Sequence, residues 1–172
     1  MSISRSEAPE RDATADEMRA LAHPLRLRIL RVTLDRPLTN RQIAERLGRD
    51  PGTTLHHVRT LVRGGFLAPE EVRTGKRGAL ERPYRATGKS WRIRMPPDAG
   101  HTASILDAVR EELLEAGRDA AVKTVRLGVR LRPEDIDELK RRIADLGDEF
   151  VTRDDPNGQP IGILALVHRR RP

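Results

Sequence analysis

The chain has 172 residues, long enough for one good-sized domain or two small ones. No run of about eighteen apolar residues occurs, which excludes a membrane-spanning helix. The absence of cysteine excludes disulfides, thiolate metal sites and a cysteine nucleophile. The formal net charge is +7, unevenly spread: residues 20–94 hold 17 Lys and Arg against 6 Asp and Glu, and the remainder holds 16 against 20. A basic front half and a mildly acidic back half suggest a polyanion-binding module joined to something else. The four aromatic residues, Phe66, Tyr84, Trp91 and Phe150, are too few for the stacking platforms of single-strand or RNA binders.

Residues 1–13 belong to a polar stretch with no apolar signal segment and are expected to form a disordered tail, so the chain is expected to stay in the cytoplasm. Asp16 is placed to cap a short helix through Leu21. His23-Pro24 interrupts it, because a residue before proline leaves the helical region and proline favours a first helical turn. The next helix runs from Pro24 to about Leu34, with leucine, isoleucine and valine at mostly helical spacings. Thr39 with Gln42 is a capping-box pattern opening a helix through Leu47, and Gly48 stops it. Asp50 then caps a helix with Pro51 at its first position, running to Arg63 and ended by Gly64-Gly65. Two short helices joined by a tight turn form a helix-turn-helix unit.

From Phe66 the spacing changes to that of strands. One is expected over 66–73 and a second over Leu80–Ala86, around a basic, glycine-flanked loop at 74–78, with Pro83 suited to an edge position. Trp91–Met95 reads as a further strand. Met95-Pro96-Pro97-Asp98 and Gly100 read as a linker. Beyond it come a helix over 102–122, a half-buried strand over 123–131, a helix from Pro133 to Leu146, a turn at 155–158 and a strand over 161–167. The expected fold is α+β, with a winged helix-turn-helix domain over 14–95 followed by a module over 101–172 for dimerisation or effector binding.

The helix over 51–63 carries the chemistry. Leu55, Val58, Leu61 and Val62 share one face and are assigned to the core. The opposite face then presents Thr53, His56, His57 and Thr60, with Thr54, Arg59 and Arg63 beside them. Hydroxyls, imidazoles and guanidinium groups suit base edges and phosphates in a major groove. Asn40 and Arg41 open the preceding helix, where backbone N–H groups favour phosphate. Lys76, Arg77 and Arg82 make the hairpin basic, with Arg73 and Arg85 on its arms, as a wing reaching an adjacent groove would require. Any one of these is an ordinary surface charge; together they point to duplex DNA.

The stretches LAHPLRLRIL and TNRQIAERLGRDPGTTLHHVRTLVRGGFL, followed by a short hairpin, resemble the ArsR-type winged helix-turn-helix repressors over residues 18–87. The resemblance implies a dimer, an inverted-repeat duplex operator, and a recognition role for Thr53, His56, His57 and Arg59. The family's thiolate metal-sensing motifs have no counterpart here. The five histidines are scattered, and His101 with Asp98 is the pairing nearest to a ligand set, so no metal and no cofactor is expected. The sequence also lacks nucleophile elbows, zinc-protease motifs and phosphate loops, which argues against an enzyme. An adaptor that kept the winged fold without binding DNA is the rival reading, and a small-molecule effector at the C-terminal module is a further expectation.

Overall fold

The structure, a computed structural model, describes residues 11–75, 78–96, 98–117, 120–155 and 157–170. They divide after Val122 into two units. No helix among the described residues is long and apolar enough to cross a membrane.

The first unit opens with β1 (Arg11–Asp12), α1 (Ala15–Leu21) and α2 (Pro24–Val32). Arg11 to Ala13 are not a loose tail. β1 pairs in parallel with β7 (Ile93–Arg94), and Ala13 N–H donates to the Arg94 carbonyl at 2.9 Å. The cap of α1 is Thr14, two residues before the expected Asp16, because Thr14 and Glu17 satisfy each other's backbone N–H groups reciprocally. His23 caps α2, its Nδ1 accepting from Leu25 N–H at 3.1 Å, with Pro24 at the first helical position.

β2 (Leu38–Thr39) leads into α3 (Asn40–Arg46), where the Thr39–Gln42 capping box is formed as expected. α4 (Pro51–Arg63) follows, with Asp50 accepting from Thr53 N–H at 2.8 Å. β3 (Leu67–Pro69), β4 (Arg73–Thr74), β5 (Leu80–Glu81) and β6 (Pro83–Ala86) come next. The two expected strands are each broken in two, because β3 and β6 pair with the body while β4 and β5 pair with each other as the outer hairpin. β6 is the central strand of a sheet ordered β2-β6-β3, antiparallel throughout. Pro83 is therefore not at an edge. It sits at the first position of a central strand, and its carbonyl accepts from Glu70 N–H at 2.9 Å. Trp91 lies in a 3₁₀ turn over Lys89–Trp91 ahead of β7, which is shorter than the expected strand.

α5 (Ala99–Ala116) starts inside the expected linker, capped by Asp98, and packs on α2. It ends before Gly117, at φ +91°, short of the expected Val122. This helix thus belongs with the first unit. The core beneath these helices joins Leu21, Ile29, Ile43, Val58, Leu61, Phe66 and Leu67, all at most 2% exposed.

The second unit holds α6 (Pro133–Val151), five residues longer than expected. The strands expected over 123–131 and 161–167 are not formed: both segments carry no ladder, and their apolar side chains stand exposed. A strand exists only through its hydrogen-bonded neighbour, and no described residue supplies one. At the 155–158 turn, Gly158 N–H donates to the Asp155 carbonyl at 2.9 Å.

Candidate nucleic-acid interface

The turn between α3 and α4 fixes how α4 is presented. Arg49 N–H closes onto the Ala44 carbonyl at 2.9 Å, and the Asn40 side-chain amide donates to the Pro51 carbonyl at the same distance. Asn40 therefore ties the starts of the two helices together through one of its amide N–H groups. Arg41, one residue on, is exposed.

α4 then divides by face. Val58 and Leu61 are fully buried, and so is Thr54, whose hydroxyl donates to the Asp50 carbonyl at 2.9 Å. His57 is 8% exposed and packs on the His23 ring at 4.5 Å between centroids. Thr54 and His57 thus do not join the outward face expected of them. Position 57 is three residues on from Thr54 and next to Val58, so a helical turn carries it inward with them. Burial, reinforced by the positive potential of His23, Arg26 and His56, lowers the His57 pKa to about 4. The ring is neutral at physiological pH. The outward face holds Thr53, His56, Arg59 and Arg63, all exposed, with Thr60 half-buried and its hydroxyl donating to the His56 carbonyl at 3.0 Å.

Beside this face runs a groove of about 340 Å³ lined by Val58, Arg59, Val62, Arg63, Pro69, Arg82 and Tyr84. Its floor is apolar and three guanidinium groups border it, two from α4 and one from the hairpin. Arg82 thus lies beside Arg59 and Arg63. Arg85, by contrast, is paired with Glu70 at 2.8 Å. Lys76 and Arg77 lie outside the described residues. Gly75 N–H donates to the Ala79 carbonyl at 2.7 Å.

Two further arginines, Arg36 and Arg46, escaped sequence reading, and they meet Arg73 of the hairpin arm. Arg36, Arg46 and Arg73 line a wider, open groove of about 620 Å³ with Pro37, Leu38, Gln42 and Glu45. They stand far apart in the chain, and only the fold brings the hairpin arm to α3. Arg28 was equally silent. It is 2% exposed on α2 and ion-paired with both Glu111 and Glu115 of α5, while Arg49 of the turn approaches Glu111 at 3.5 Å. At the far end of α4, Lys89 donates to the Gly64 carbonyl at 2.6 Å, pairs with Glu17 at 2.7 Å and lies over the Phe66 ring. The anchored Glu17 also accepts from Arg11, and these contacts hold its carboxyl far below the ordinary range.

Asp98 and His101, considered for a metal, form a helix cap instead: Asp98 accepts from the His101 backbone N–H at 2.8 Å. Among the described residues no three His, Asp or Glu side chains are grouped to hold a metal ion.

Three packed helices, a tight turn before the last of them and a hairpin alongside it define a winged helix-turn-helix domain. Residues 21–70, from the end of α1 to the start of the hairpin, match the family model of a helix-turn-helix domain. That match falls within the segment resembling ArsR-type regulators. No curated protein matches the chain. Among solved structures, the crystal structure of a possible transcriptional regulator for arsenical resistance aligns at 19% identity over 77% of this chain and 97% of that one. Its TM-score is 0.36, too loose a superposition to carry weight.

Proposed function

We propose that the chain is a transcriptional regulator that binds duplex DNA sequence-specifically, acts as a homodimer on an inverted repeat, and represses. The observation behind this reading is the α4 face, where exposed Thr53, His56, Arg59 and Arg63 adjoin a groove shared with Arg82 of the hairpin. Donors of this kind suit base edges and phosphates, and nothing about an adaptor surface would require them together. Arg59, Arg63 and Arg82 take the phosphates flanking the major groove, with Arg41 at the start of α3. Thr53 and His56 read bases. Lys76 and Arg77 add positive charge for the next groove.

The exposed Leu106, Leu113 and Leu114 on α5 supply one apolar stripe for a dimer, which sets two α4 helices about one DNA turn (~34 Å) or a multiple apart. A small molecule held by the C-terminal module would then act by favouring a dimer with wrongly spaced helices. The protein works in the cytoplasm, on this reading, and has no catalytic role.

Fluorescence anisotropy with a duplex from the gene's own upstream region, against a random duplex over a salt series, tests the reading. Preference for the cognate duplex with a steep salt slope is the expected result. Arg59→Ala should weaken binding to both duplexes and flatten the slope by about one unit, whereas His56→Ala should erode the preference. Absence of binding to either duplex at low salt would leave the adaptor reading in its place.

A further inference from the structure

The second unit contains two stretches written as strands and left without partners. Residues 123–131 alternate, with Val125, Leu127, Val129 and Leu131 apolar and 41–78% exposed, and Arg126 and Arg130 between them. Residues 161–167 are apolar or small throughout and equally open, Ile163 being 76% exposed. Among the described residues neither stretch makes a backbone hydrogen bond. The side chain of Arg170, just past the second stretch, reaches the first: a Cβ built on Gly128 would lie 3.1 Å from its guanidinium. α6 adds a stripe at helical spacing, Ile136, Leu139, Ile143, Leu146 and Phe150, none of it buried. Its opposite face is held by exposed ion pairs such as Arg142–Glu138 and Lys140–Asp137.

Rows of open N–H and C=O groups beside apolar side chains are a template for another strand. The amount of surface also fits a partner. A Leu-sized side chain offers on the order of 100 Å² of apolar area on the usual transfer scale. The exposed apolar residues of this unit therefore present on the order of 600 Å² before backbone and polar rim are added. A standard interface draws ~800 Å² from each side.

We infer that the occupant is a second copy of the same unit, joined edge to edge through 161–167. The two copies of that stretch run antiparallel about a twofold axis at Leu164, with 123–131 as the outer strands and the two α6 helices over one face. Three features favour a copy of this chain over another partner. Residues 161–167 carry no charge, so antiparallel self-pairing sets no like charges opposite one another. The same register brings Arg169 and Arg170 of each copy towards the Asp154-Asp155 turn of the other. A stretch apolar on both faces suits the centre of a sheet, while the arginine-bearing 123–131 suits its rim. The interface rests on the homodimer reading above but not on DNA binding, and it holds the dimer together where the three exposed leucines of α5 are too few to do so alone.

The chain's lack of cysteine makes the test direct. Leu164→Cys places two thiols across the axis, where directly opposed residues come within disulfide reach. Mild oxidation of the full-length variant should cross-link it several-fold more completely than Leu127→Cys or, on α5, Leu113→Cys. Ile163→Lys should return the particle from twice the chain mass to the single-chain 19.4 kDa in sedimentation equilibrium. It should also abolish concentration-dependent amide protection over 161–167. A single-chain mass for the unmodified protein at tens of micromolar would overturn the inference. So would a dimer that cross-links at Leu113→Cys and not at Leu164→Cys. A Leu164→Cys dimer that forms but ignores duplex DNA would uphold the interface and defeat the regulator reading.

Discussion

α4 and α6 are written alike, each with an apolar stripe at intervals of three and four residues, yet their stripes end differently. Val58 and Leu61 of α4 are fully buried against α2, α3 and β3, whereas none of the five stripe residues of α6 is. The charged faces differ too. In the first unit Arg28 and Glu17 are buried and multiply paired, while the ion pairs of α6 all stand in water. An amphipathic pattern states that a covering face exists and leaves open which chain provides it.

The sharpest way to break this contrast is to remove charge from each helix system. Replacing both Glu111 and Glu115 by Ala strands a buried guanidinium and should cost about 3 kcal/mol in urea unfolding. Either single change should cost much less than half of that, because the other carboxylate still pairs with Arg28. Glu138→Ala on α6 should leave unfolding unchanged within error. Packing gives a similar test: Leu61→Ala should lose about 3 kcal/mol. Leu146→Ala should scarcely move the unfolding of the single chain and should weaken self-association instead.

Acid separates the two units next. The His57 pKa is lowered to about 4, beneath the ordinary value of 6.5, so the unfolded chain binds a proton that the folded chain refuses. Its contribution is complete above pH 6.5 and falls away as pH drops from 6.5 through about 4, by on the order of 2 kcal/mol. His57→Leu should flatten the stability profile across that window. Glu17 acts in a lower window: its folded pKa is depressed, so its contribution holds above the ordinary carboxyl range and is lost only beneath it. Smallest are the helix caps. Asp50→Ala should cost about 1 kcal/mol, and Arg132→Asp should gain a comparable amount at α6, whose first residue has no side-chain cap.

The helix-turn-helix was legible because its signals are local. Thr39 with Gln42, Asp50 with Pro51, and Gly64-Gly65 each act within a turn of the chain, and α4 begins and ends where they place it. The outward face of α4 was legible for Thr53, His56, Arg59 and Arg63. It failed at Thr54 and His57, whose polarity hid a buried hydroxyl and a ring packed on His23. What could not be read is what distant residues do together: Arg28 with Glu111, Arg36 with Arg46 and Arg73, Pro83 in a central strand. The missing strands at 123–131 and 161–167 reflect the same limit, since alternation specifies a strand's faces and not its neighbour.

The capping carboxylate of α4 also bears on the direction of approach. Asp50 sits at the positive end of the helix dipole and accepts from the Thr53 N–H there. A DNA strand arriving head-on would bring phosphate against this negative charge. One arriving along the flank meets Arg59 and Arg63 instead. On the proposed DNA-binding reading, the axis of α4 would therefore lie along the groove and not point into it.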